Sequence, residues 1–134
     1  METAVSTAPA TGRIRGVFLA ESLEIGASFD GHGMHVIRCS RYAVSGTTED
    51  QPEIWTAIDF DAPESESEPL AEELSQALAR PGGWYVNWSS ADDTTVVFRD
   101  RVFRYPRGDQ AGRAAAQEHG RKCGVPEPQL DWTD

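Results

Sequence analysis

Histidine and cysteine, the side chains that most often do chemistry near neutral pH, are scarce in this chain, with three and two copies in 134 residues. Signature spacings are missing too. There is no G-x-S-x-G elbow, no P-loop and no G-x-G-x-x-G turn, which removes the sequence warrant for an α/β-hydrolase, a P-loop NTPase or a dinucleotide-binding enzyme. No apolar run approaches the roughly 18 residues of a membrane span, so no membrane partner is expected. Lysine occurs once, at Lys122, against eleven arginines, a bias of GC-rich coding more than of mechanism.

Cys39 and Cys123 lack CxxC or metal-ligand spacing, and one disulfide would be a thin framework for a secreted domain. They are expected to be reduced, largely buried thiols. Residues 1–12 are small and polar, with neither a basic n-region nor an apolar h-region, and are expected to form a frayed tail. A cytoplasmic location follows as an expectation.

What the chain does have is acid, with a formal net charge of −10. An acidic surface repels phosphate backbones and anionic lipid, which makes nucleic acid an unlikely partner. The charge is uneven. Ten acidic residues and no basic one lie between Glu49 and Glu73, whereas seven basic residues face three acidic ones between Arg99 and Lys122. An electrostatic dipole is expected.

Length and composition fit one domain over residues 13–125, followed by an extended tail, 126–134, that packs on the domain or on a partner. Residues 13–23 carry a β-rich run. Glycines cluster around Asp30-Gly31-His32-Gly33 and mark a turn. Residues 34–44 and 53–60 read as strands, the latter alternating Ile54, Thr56, Ile58 and Phe60 against Trp55, Ala57 and Asp59. An acidic connector leads to a helix with Ser67 as its expected cap and Pro69 in its first turn. Leu70, Leu74, Ala77 and Leu78 form its apolar stripe, and Pro81-Gly82-Gly83 stops it.

Residues 84–89, 94–99 and 101–105 read as three more strands. Placing the last turn at Asp100-Arg101 sets Phe98 opposite Phe103. Asp109 is suited to cap a second helix that ends near Cys123, with Gly124 as its C′ residue. The order β-β-β-α-β-β-β-α predicts an α+β domain, a mostly antiparallel sheet of five to six strands with both helices on one face. A roll or half-open barrel around the first helix is the alternative topology.

Three constellations are candidates for function. Asp30, His32 and His35 are a weak metal set, because zinc sites usually need three or four supported ligands; an incidental turn is the plainer reading, and no metal or cofactor is implied. His119, in the alanine-rich helix, suits packing or the surface better than a third ligand. Asp59 is the carboxylate with the best chance of a shaped environment, though a strand's solvent face is the plainer reading. A cysteine nucleophile, Cys39 or Cys123, would need a neighbouring histidine, which spacing cannot establish.

The stretch from Trp84 to Arg107 is rich in the Trp, Tyr and Arg of binding hot spots. Trp84, Trp88, Phe98 and Phe103 are expected in the core. Tyr85, Asn87, Arg99, Arg101, Arg104 and Arg107 are then left for a surface that binds a carboxylate, a phosphate or an acidic partner. Trp132 is a candidate to dock in cis or on another molecule. Glu64, Glu66, Glu68 and Glu72 are the candidate acidic contact surface for a basic protein.

The stretch WYVNWSS…VVFRDRVFRYPRGDQAGRAAAQEHGRKCGVPEPQLDW resembles a type of small, uncharacterised actinobacterial protein, over most of the chain after residue 13. The resemblance implies a bacterial source and no site residues. The sequence therefore favours a non-enzymatic binding or regulatory protein with a protein partner. A small-molecule binder or small enzyme with a pocket between sheet and helix for an anionic ligand is the alternative.

Overall fold

The computed structural model describes residues 11–81 and 83–134; the expected tail, 1–12, lies almost wholly outside them. Six strands form one antiparallel sheet: β1 Arg13–Leu19, β2 His35–Ala43, β3 Ile54–Pro63, β4 Tyr85–Ser89, β5 Asp93–Phe98 and β6 Arg101–Pro106. The helices are α1 Ser67–Ala77 and α2 Gln110–Lys122. The α+β class and the order of elements are as the sequence predicts. None of the described helices is long and apolar enough to cross a membrane.

The order in space is β2-β3-β1-β4-β5-β6. Strand β1 therefore joins a hairpin (β2–β3) on one side to a meander (β4–β5–β6) on the other. The β1–β4 seam is short, pairing only Arg15, Gly16 and Val17 with Ser89, Trp88 and Asn87. Glycine is required there: a Cβ on Gly16 would fall 2.6 Å from the Trp88 Cβ, far inside contact distance.

The helices lie on opposite faces, a correction to the one-face expectation. Val97 packs with Leu70, Leu74, Trp88, Phe60 and Ile14 in the core beneath α1. Its neighbours Val96 and Phe98 pack with Tyr105, Ala116, Leu130 and Trp132 in a second core beneath α2. Successive strand residues point to opposite faces, so one helix covers each. A run of alanines lets a helix approach a sheet but carries no signal of which face it takes.

Ser67 does not cap α1 with its side chain; its hydroxyl accepts the Trp88 indole N–H at 2.9 Å. Asp109 does cap α2, accepting from the Ala111 N–H at 3.1 Å, and Gly124 follows at φ 90°. The last hairpin turns one residue earlier than expected, pairing Phe98 with Arg101 and Val96 with Phe103. Asp100 adopts φ 66°, which a short acidic side chain tolerates, and its N–H donates to Ser75 O on α1 at 2.9 Å. Phe98 and Phe103 thus meet diagonally, edge to face at 5.9 Å.

Both cysteines are free and exposed, which overturns the expected burial. Cys39 lies on β2, an edge strand, and Cys123 follows the last turn of α2. Strand β2 shows the protections of an edge, a bulge at Val36/Arg38 and the charged residues Arg38 and Arg41.

Candidate functional site

On the α2 face, helix and tail cover only the β4–β5–β6 half of the sheet. Residues 125–134 run as a strap over that half, with Val125, Leu130 and Trp132 buried. Its polar anchors are many. Tyr85 donates its hydroxyl to Gln129 O, Gln117 donates to Leu130 O at 3.1 Å, and the Trp132 indole donates to Tyr105 Oη at 2.8 Å. Tyr105 in turn donates to Asp134 Oδ1 at 2.7 Å, which Arg113 also reaches at 3.2 Å. Gln51 and Gln129 exchange amide bonds of 3.0 Å and clip the strap to the β2–β3 loop. Burial pushes the Tyr105 hydroxyl up to about 12, and Tyr85 is raised further for the same reason. Both phenols are structural donors at ordinary pH. Trp132 thus packs in cis.

Where the strap ends its cover, a groove of ≈ 640 Å³ opens over β1, β3 and β4. Its floor is set by register. Asp59 on β3, Val17 on β1 and Asn87 on β4 form one row across the sheet, and Asp61, Arg15 and Ser89 form the next. Tyr42, Trp55 and Trp84 make an aromatic wall, with the Trp55 and Trp84 rings 5.6 Å apart. Trp84, expected to share the face of Trp88, precedes β4 and turns to this side.

The groove contains polar groups that the fold leaves unspent. Among the described residues, the side chains of Arg15, Asn87 and Tyr42 form no hydrogen bond, and Arg15 forms no ion pair. Asp59 is 15% exposed and meets Arg38 at 3.5 Å, yet its Oδ2 is buried without a hydrogen bond. The Tyr42 hydroxyl is raised by burial first and then by Asp59 and Glu21. No histidine or cysteine lines the groove. It can hold and orient a ligand, but it lacks the usual group for moving protons near neutrality.

The residues singled out from sequence divide between places. Tyr85, Asn87, Arg107 and Trp132 line the groove. Arg99 runs beneath the end of α1, donating to Leu78 O at 2.9 Å and lying 3.6 Å from Glu24. Arg101 lies over the Phe103 ring at 4.4 Å, near His119, which is lowered by burial and by Arg101 and Lys122. Arg104 is on the opposite face, bound to Asp93 at 2.7 Å and 3.5 Å from Glu68. Strand alternation and the shifted hairpin keep these seven from forming one surface.

Of the acidic set, Glu66 bonds His32 and Glu68 approaches Arg104, while Glu64 and Glu72 have no ion pair among the described residues. His32 presents Nδ1 to Glu66 at 2.9 Å and Nε2 to Glu73 at 2.5 Å. Its two nitrogens point to separate carboxylates, the geometry of a clasp between a loop and α1 and not of ligands converging on an ion. His35 is exposed, 3.8 Å from Asp61, and the Asp30 backbone N–H donates to Glu73 at 3.1 Å. No cluster of three or more potential metal ligands exists among the described residues.

Arg15, Trp55 and Tyr42 escaped the sequence reading. Part of the signal was present, since Arg15 alternates with Ile14 and so faces away from the α1 core. What was missing was the neighbour relation of β1, β3 and β4, which pairs residues tens of positions apart. Comparison with known proteins gives no matching family model, no curated relative and no similar solved structure.

Proposed function

We propose that this is a non-enzymatic binding protein whose ligand is a small molecule carrying an anionic group, held in the groove between the open half of the sheet and the strap. The observation that carries the reading is Arg15, a cation without a side-chain partner among the described residues, on the floor of an aromatic-walled groove. Ligand sites are typically concave and of roughly 300–1,000 Å³; this groove has that volume, with an aromatic wall and a floor and rim more polar than is usual for such sites. The expected pocket between sheet and helix is replaced by one between sheet and strap. Carboxylates or nucleotides that fill it should raise the melting temperature of the full chain, and Arg15→Gln should remove the shift. Stabilisation that survives Arg15→Gln would place the ligand elsewhere.

A protein partner is the second reading. It is supported by Val36, Ile37 and Ile54, which are 53%, 39% and 49% exposed at the β2–β3 edge. Capture of a partner that is lost in Val36→Ser/Ile54→Ser but kept in Arg15→Gln would favour it, and the reverse pattern would dismiss it.

A further inference from the structure

The groove holds unspent groups of both signs, and this narrows what can lie in it. Arg15 and Asp59 occupy adjacent strands on the same face, diagonal neighbours through the Asp59–Val17 pair. Diagonal positions of this kind lie about 7–8 Å apart at the backbone, so both side chains reach one small ligand resting over Val17. Asp59 is only weakly compensated: among the described residues its one ion-pair partner is Arg38, at 3.5 Å with the Arg38 side chain 44% exposed. Asp131 and Asp134 add two more carboxylates to the lining, of which Asp134 is paired with Arg113. A ligand that is purely anionic would satisfy Arg15 but bring negative charge against Asp59 and Asp131. A purely cationic one would do the reverse.

We infer that the groove recognises a free aromatic α-amino acid: its carboxylate on Arg15 and Asn87, its ammonium on Asp59, and its ring against Trp55 and Trp84. This rests on the groove being the binding site. Asn87 stands across Val17 from Asp59, about two strand spacings or ~10 Å away, which puts a donor amide on the far side of the ligand from the carboxylate. Arg15 supplies a planar fork suited to a carboxylate. The two indoles, tilted by 59°, offer a flat ring one face and one edge, the arrangement aromatic pairs favour. Their faces also attract a nearby ammonium. A site built this way rejects analogues that lack either charge, because a desolvated polar group is then left without its partner.

The test is calorimetric titration of the full chain with L-phenylalanine, N-acetyl-L-phenylalanine, which keeps only the carboxylate, and L-phenylalanine amide, which keeps only the ammonium. The amino acid should bind at least tenfold more tightly than either analogue. Asp59→Asn should abolish its advantage over the N-acetyl compound, and Arg15→Gln its advantage over the amide. Circular dichroism of each variant establishes that it is folded, and the wild-type ligand series stands without the variants. Equal affinity for L-phenylalanine and its N-acetyl form would overturn the inference and leave an anion site, with the broader binding role intact. No binding of the amino acid, with other anions still bound in an Arg15-dependent way, would overturn it as well. No binding of any small anion would remove the binding role itself.

Discussion

The two halves of the sheet differ in how completely they are used. Five of the six β5 residues are buried, and β4–β5–β6 is packed by α1 on one face and by α2 with the strap on the other. Seven of the nine β2 residues are exposed, and across β1 and β3 the second face is open. In the covered half, polar groups such as the Trp88 indole, Tyr85, Tyr105 and Trp132 have partners inside the chain. In the open half, the side chains of Arg15 and Tyr42 have none among the described residues, nor does that of Asn87 on β4, at the border of the groove. Stability is concentrated on one side of β1 and unspent chemistry on the other, the division expected when a rigid scaffold presents a site.

Substitutions should separate the halves by size of effect. Trp88→Ala removes a side chain that is 1% exposed at the centre of the α1 core, and should lower unfolding free energy by about 4 kcal/mol in urea melts. Gly16→Ala forces a methyl group into the Trp88 contact at the seam and should lose about 3 kcal/mol. The clash is with the Asn87 carbonyl oxygen and the Trp88 Cα and Cβ, so shortening Trp88 should not relieve it. In the open half, Arg15→Gln should change stability by less than about 0.5 kcal/mol and Trp55→Ala, which loses the ring contact with Trp84, by roughly 1 kcal/mol, while both remove ligand binding. A large stability loss in either would erase the contrast.

The smallest effect is one of pH. Its bonds to Glu73 first and Glu66 second raise the His32 pKa above 6.5, against the opposing effect of burial. The folded state therefore holds this proton more tightly than the unfolded chain. The resulting stabilisation is fully present below the unfolded pKa and is lost as pH rises through the folded one. The Glu73 pKa is lowered chiefly by the same bond, so its share is lost in acid, as pH falls through its folded pKa. The stability difference between wild type and His32→Gln should accordingly be larger at pH 5.5 than at pH 9, read from paired thermal melts.

Local features of this fold were legible in the sequence and neighbour relations were not. The alternation of Ile14 and Phe18 with Arg13 and Arg15, the Leu70–Leu74 stripe, the Asp109 cap and the Gly124 stop each follow from spacing within one element. The face taken by α2 depends on where Phe98 and Tyr105 point, and a single-residue shift of the Asp100 turn changes their partners. Exposure of Cys39 depends on β2 being an edge, which Arg38 and Arg41 are consistent with but do not by themselves establish. Half of the groove was visible, through Tyr85, Asn87, Arg107 and Trp132. The other half, Arg15, Tyr42 and Trp55, comes from strands that only the completed sheet brings together.

The four tryptophans occupy different surroundings, which makes their indole N–H signals a direct test of where binding occurs. Trp55 and Trp84 wall the groove, Trp132 lies in the strap and Trp88 sits in the core on the opposite face. In a ¹H–¹⁵N titration with L-phenylalanine, saturable shifts are predicted at Trp55 and Trp84, with Trp88 unmoved. Shifts centred on Trp88, or none at Trp55 and Trp84 at any concentration, would contradict the groove as the binding site.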